Sequence, residues 1–126
     1  MIDHLSLGVS DPSASSAFYT RALAPLGYRV LAEHGPVIGL GIERREDGPN
    51  AELWLVPADT PTVVHLALTA ESTEQVDAFY EAALAAGGSD NGSPGERPQY
   101  HPGYYGAFVL DPDGHNLEAV FHGTGK

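Results

Sequence analysis

A chain of 126 residues has the length of one domain and buries roughly two-thirds of the surface it exposes when unfolded. Six Lys and Arg against 17 Asp and Glu leave a net charge of −11, which serves solubility and repels nucleic acid and anionic membrane surfaces. The absence of cysteine excludes disulfides, thiolate metal ligands and a cysteine nucleophile. No apolar run approaches the ~20 residues of a membrane span, and Met1-Ile2-Asp3-His4 leads into a strand rather than a leader. A cytoplasmic protein with no nucleic acid and no membrane partner is expected.

In chain order, Ile2 to Val9 alternates as a strand does. Leu5, Leu7 and Val9 share one face; His4, Ser6 and Gly8 share the other. Ser10-Asp11-Pro12 starts a helix, with a capping side chain and proline in the first turn. Phe18, Ala22 and Leu26 then recur every four residues beside Tyr19 and Leu23, up to a stop at Gly27. Tyr28 to Leu31 and Val37 to Ile42 read as strands, and Arg45 to Asn50 as a turn around Gly48-Pro49. Glu52 to Val56 is a strand with Leu53 and Leu55 on one face and Glu52, Trp54 and Val56 on the other. Pro57 to Pro61 links the halves.

The second half repeats that order. Val63 to Thr69 is a strand with Leu66 and Leu68 on one face and His65, Ala67 and Thr69 on the other. Ser72 or Thr73 caps a helix carrying Val76, Phe79, Tyr80, Ala83 and Leu84, which Gly87-Gly88 ends. Ser89 to Gly103, rich in Gly and Pro, reads as a long polar loop, long enough to act as a lid hinged at Gly92 and Gly95. Tyr104 to Leu110 is a strand, Asp111-Pro112-Asp113-Gly114 a turn, and Asn116 to Phe121 the last strand.

The repetition is residue by residue. His4-Leu5-Ser6-Leu7, Ala17-Phe18-Tyr19, Ala22-Leu23-Ala24 and Gly27 return as His65-Leu66-Ala67-Leu68, Ala78-Phe79-Tyr80, Ala83-Leu84-Ala85 and Gly88, each 61 positions later. The chain is therefore two copies of one unit, module 1 over about residues 1–57 and module 2 over about 62–122, within a single domain spanning 1–126. Helices on one sheet face account for the apolar positions, and the opposite face collects His4, His65, Glu52 and Glu118. A lone strand histidine is ordinarily a packed or solvated residue. Two at matching repeat positions, with acids on their face, suit Zn, Ni, Fe(II), Mn or Co. The repeat is expected to set the two histidines opposite each other across a pseudo-two-fold axis. Glu52 is open: as a ligand it completes a four-residue site, and otherwise it is a solvated carboxylate.

The strand histidines, the Asp111-Pro112-Asp113-Gly114 turn and the following Asn116-Leu117-Glu118 resemble the vicinal oxygen chelate superfamily, which includes glyoxalase, bleomycin-resistance proteins and extradiol dioxygenases. The segment Arg97 to Gly106 resembles a little-characterised glyoxalase-like branch. The resemblance, from Ile2 to about His122, implies an α+β fold of two tandem βαβββ modules. Together these form a cup-shaped mixed sheet with helices on its outer face. It implies a divalent metal on His4, His65 and Glu118, with Glu52 where glyoxalase-like members place a fourth ligand. It also implies a small-molecule substrate and a homodimer. The expected reaction is metal-dependent lyase or isomerase chemistry on vicinal oxygens, with Glu52 or Glu118 moving the proton. The alternatives are an extradiol-type dioxygenase or a metal-free drug- or metabolite-binding protein.

Other candidates lie at the expected cup mouth. His101 has the chemistry of an acid or base, Arg97 that of a carboxylate partner, and Tyr104 lies beside both; anchoring of the loop is the competing reading. Trp54 is placed to stack on substrate or to pack in the sheet. His34, His115 and His122 are expected to be solvent-exposed. No phosphate loop or serine-hydrolase elbow is present.

Overall fold

The computed structural model describes residues 2–42 and 51–123. The alternating start of the chain forms β1 (Leu5–Val9), which buries Leu7 and Val9. It begins later than the alternation suggested, so His4 immediately precedes it. Helix α1 (Pro12–Ala22) starts where Asp11 accepts a hydrogen bond from the Ala14 amide at 3.1 Å and Pro12 fills the first turn. A 3-10 turn (Ala24–Leu26) and Gly27, in the left-handed region at φ 94°, complete the stop. β2 (Tyr28–His34) and β3 (Val37–Ile42) form a hairpin, and β4 (Leu53–Pro57) follows. The predicted turn Arg45 to Asn50 lies outside the described residues.

Module 2 comprises β5 (His65–Thr69), α2 (Thr73–Ala85), β6 (Ser89–Glu96), β7 (Tyr104–Leu110) and β8 (Asn116–His122). Ser72 caps α2 through the Gln75 amide at 3.1 Å, while the Gln75 side chain reaches back to the Glu71 amide at 2.8 Å, close in logic to a capping box. The helix buries Val76, Phe79 and Ala83, positions that share one stripe.

Each module makes one four-stranded mixed sheet, ordered β1-β4-β3-β2 and β5-β8-β7-β6. In both, the first strand pairs parallel with the last and the other pairings are antiparallel. The fold is thus α+β, two βαβββ-like modules with cup-forming sheets. The two helices pack against each other, and one apolar core runs through both modules. Its fully buried aromatics, Phe18, Tyr19 and Phe79, each contribute roughly 2–3 kcal/mol through burial.

Two expectations are corrected. Much of the predicted loop Ser89 to Gly103 is strand: Ser89 to Glu96 pairs antiparallel with β7, interrupted by register shifts on either side of Gly92. Pairing with β7 overrides a sequence of little strand propensity, and Pro94 is tolerated because β6 is an edge. The lid reading fails with it, since Gly92 and Gly95, the intended hinges, both lie in the ladder. His115, expected at the surface, is 1% exposed. Its Nδ1 accepts from the Val64 amide at 3.2 Å, and Nε2 donates to the Gly8 carbonyl at 2.8 Å. His34 and His122 are exposed as expected.

Two clefts lie where the modules meet. One cleft is lined by Ile2 to Leu5 together with Leu66 to Thr69, and another by Leu5 to Gly8 together with Val64 and His65. His4 lines the first of these clefts and His65 the second.

Candidate metal and substrate site

Each module carries its own donor pair at the head of its sheet. In module 1, His4 precedes β1 and Glu52 precedes β4. The parallel register Leu5 to Leu53 brings the two side by side, and the Leu5 amide donates to the Glu52 carbonyl at 2.8 Å. His4 Nδ1 meets Asp3 Oδ1 at 2.7 Å, which leaves Nε2 with its lone pair available, the way a carboxylate commonly orients a ligand histidine. The Tyr28 hydroxyl donates to Glu52 Oε1 at 3.0 Å. Burial, then the charge and hydrogen bond of Glu52, raise Tyr28 well above the ordinary tyrosine range, so it remains a donor. His4, Glu52 and Tyr28 line a cleft of about 510 Å³.

In module 2, His65 opens β5, and Glu118 lies on β8 opposite Ala67. His65 Nε2 is 2.7 Å from Glu118 Oε1, and the Tyr104 hydroxyl donates to Oε2. Glu118 is 1% exposed, whereas the His65 side chain is 53% exposed. Burial, then Glu118's hydrogen bond and charge, raise Tyr104 and keep its proton. The His65 and Glu118 donor atoms are close to the roughly 3 Å expected for neighbouring ligands on an ion that binds each at about 2.1 Å. Phe108 pairs with Glu118 across β7 and β8 and packs on His65 with ring centroids 6.1 Å apart. The Arg97 guanidinium lies over Phe108 at 5.3 Å.

His101, half-buried at the rim, donates from Nδ1 to the Pro102 carbonyl at 2.8 Å, and its Nε2 lies 2.9 Å from His122 Nδ1. Its ring meets Tyr104 edge-on at 5.4 Å. Trp54 stands apart in module 1, stacked with His34 at 5.8 Å and closely fitted over Gly39, where a Cβ would fall 2.7 Å from the indole. The fold thus gathers His65, Glu118, Tyr104 and Arg97 around one face, and His4 with Glu52 around another. It does not bring all four candidate ligands together within the chain. Asp3, Tyr28 and Phe108 were missed by sequence reasoning. Phe108 alone had a usable signal, since it shares the strand parity of Tyr104.

Among the described residues, Asp111, Asp113 and His115 are the group of three whose donor atoms all lie within 4.8 Å of one another, the spacing of a metal site. Their hydrogen bonds describe a latch. Asp111 Oδ1 accepts from the amides of Asp113 and His115 at 2.9 and 2.8 Å, and Oδ2 from the Tyr19 hydroxyl at 2.6 Å. Asp113 accepts from the Ser10 amide and hydroxyl. Both His115 ring nitrogens are engaged, so no imidazole lone pair remains for an ion. The cluster ties the β7–β8 turn to β1 and α1.

A duplicated βαβββ unit, with an imidazole and a carboxylate at the head of each sheet, defines a paired-module α+β cup. The family model of the Glyoxalase/Bleomycin resistance protein/Dioxygenase superfamily matches residues 1–119, and the chain belongs to that superfamily. Among solved structures, a glyoxalase/bleomycin resistance protein from Albidiferax ferrireducens T118 is 26% identical, with a TM-score of 0.79 over 96% of this chain and 98% of its own. A glyoxalase/bleomycin resistance protein/dioxygenase family enzyme from Burkholderia phytofirmans PsJN shares the fold at 18% identity, with a TM-score of 0.73 over 96% and 98% of the chains. A glyoxalase-related enzyme from Fulvimarina pelagi does so at 21% identity, with a TM-score of 0.69 over 96% and 87%. No curated protein matches the chain. No helix among the described residues is long and apolar enough to cross a membrane.

Proposed function

We propose that this chain is a glyoxalase-like, metal-dependent lyase or isomerase. It acts as a cytoplasmic homodimer in which each metal is held by His4 and Glu52 of one copy and His65 and Glu118 of the other. The observation that carries this reading is that each module sets one histidine beside one carboxylate, with the two histidines lining separate clefts. Each pair alone is half of a four-ligand site. Exposed apolar side chains flank both histidines and support a second copy there: Ile2, Leu5 and Ile42, 84%, 38% and 46% exposed, near His4, and Val63 and Val64, 58% and 37% exposed, beside His65. A divalent ion so held supplies a Lewis acid for two neighbouring substrate oxygens.

The chain's own residues do the rest. Tyr104 and Tyr28, both kept protonated, steady Glu118 and Glu52. Glu52 or Glu118 would take a proton from a carbon beside the substrate carbonyl and return it to the carbonyl carbon. His101 stands at the rim as a second proton carrier. Tyr28's hold on Glu52 supports a dioxygenase as the second reading, because a three-ligand site that omits Glu52 leaves coordination positions open.

Purified protein is expected to bind about one divalent ion per chain, and His4→Ala and His65→Ala each to abolish binding. Co-refolded as a mixture, the two variants recover metal, because the mixed dimer retains one site with both histidines intact. Failure of wild-type protein to take up Zn, Ni, Mn or Fe(II) removes the metal reading. Metal retained by either single variant, or no recovery on mixing, removes the shared site.

A further inference from the structure

Arg97 is a cation on the cup face with no carboxylate partner among the described residues. Its guanidinium makes two hydrogen bonds, both to main-chain carbonyls, Ser93 at 2.8 Å and Glu96 at 3.4 Å. Among the described residues no carboxylate lies within ion-pair distance of it. Three of its five N–H groups are left over. In a chain of net charge −11, a half-buried cation left without a carboxylate is conspicuous.

The mount is rigid. The Arg97 amide donates to the Tyr104 carbonyl at 2.8 Å, and the Arg97 carbonyl accepts from the Tyr100 amide at 3.0 Å. The guanidinium lies over Phe108, 5.3 Å from the ring centroid. Glycines clear the space around it: a Cβ at Gly95 would lie 3.2 Å from Nη1, and one at Gly92 would lie 3.4 Å from Nη2. Gly92, with φ 150° and a Cβ that would come within 2.8 Å of Phe108, has no room for a side chain. Phe108 also packs on His65, so a single ring separates the guanidinium from the imidazole. Arg97, Phe108, His65 and Glu118 thus share one face of the module 2 sheet.

We infer that Arg97 is the anchor of an oxyanion subsite, and that the substrate carries a carboxylate or phosphate one short chain away from its paired oxygens. A planar fork of N–H donors matches the two oxygens of either group. The inference rests on the proposed metal reading for the position of the paired oxygens, but the anion contact itself needs no metal.

Metal-loaded protein is titrated by calorimetry with two matched pairs: 2-oxoglutarate with its 5-methyl ester, and dihydroxyacetone phosphate with dihydroxyacetone. The charged member of at least one pair is expected to bind about tenfold or more tightly than its neutral analogue. That advantage disappears in Arg97→Gln and falls to an intermediate value in Arg97→Lys, which keeps the charge without the fork, while metal content stays unchanged. A preference confined to one pair identifies the anion as carboxylate or phosphate. Equal binding within both pairs, absence of binding by both anions at millimolar concentration, or a preference that survives in Arg97→Gln overturns the subsite. Protein that takes up no metal but still shows the Arg97-dependent preference retires the metal reading and keeps the subsite.

Discussion

Replacing Asp111 by Ala tests the latch that joins the modules. The Asp111 carboxylate is 5% exposed and receives three donors, the Tyr19 hydroxyl and the amides of Asp113 and His115. Tyr19 is fully buried and His115 is 1% exposed, so water does not readily replace the lost acceptor at either donor. Each buried donor left unpaired costs about 1–3 kcal/mol, and the Asp113 amide, less deeply placed, costs least, for a total of about 3–5 kcal/mol. For a chain of this size that corresponds to a fall in Tm of roughly 10–20 °C. Urea and thermal unfolding followed by circular dichroism measure both quantities. Asp113→Ala is the control: its bonds to Ser10 are at the surface, and it should cost about 0.5–1.5 kcal/mol. A loss below about 1 kcal/mol for Asp111→Ala, or losses equal in the two variants, would refute the claim that buried donors at Asp111 hold the modules together.

Tyr104→Phe removes the donor to buried Glu118 and should lower stability by about 1–3 kcal/mol and metal affinity by about 10- to 100-fold; a metal titration with unchanged affinity counts against the role given to Tyr104. Gly88→Ala would place a methyl group 2.5 Å from Val109 Cγ1 and 2.9 Å from Phe18 Cε1, and urea titration should show a loss of about 1–3 kcal/mol from overpacking. Burial, followed by nearby carboxylate charge, raises Tyr19 and Tyr28 in the folded chain. The folded state therefore holds protons that the unfolded state releases above about pH 10, and stability present below that pH falls as pH rises beyond it. Tm measured from about pH 9 to 11 should decline, and less steeply in Tyr19→Phe; parallel curves for the two proteins would contradict this assignment.

Much of the architecture was legible because it was written twice. The step of 61 positions exposed the module, and strand alternation separated core leucines from the histidine and carboxylate face. The helix starts were legible, since Asp11 and Ser72 cap them as their side chains predict. What escaped were features decided by partners distant in sequence. His115 is buried because Gly8 and Val64 meet it on both ring nitrogens, and no local pattern announces contacts from residues so distant in sequence. The separate clefts that His4 and His65 line depend on which edges of the modules meet, which a repeat alone does not specify.

Strand β6 escaped for a more interesting reason. Ser89 to Glu96 contains two glycines, a proline and two acids, and has no apolar alternation. It is also the outermost strand of its sheet, with one edge open to solvent. An open edge is a template on which strands of other molecules add, and a regular, apolar β6 would invite such growth. Pro94 cannot donate, the register shifts around Gly92 disturb the spacing of the remaining donors, and Asp90 and Glu96 bring charge to the rim. The traits that disguise β6 as a loop are those that let the sheet end there, and they guard an acidic, cysteine-free chain against fibre-like aggregation.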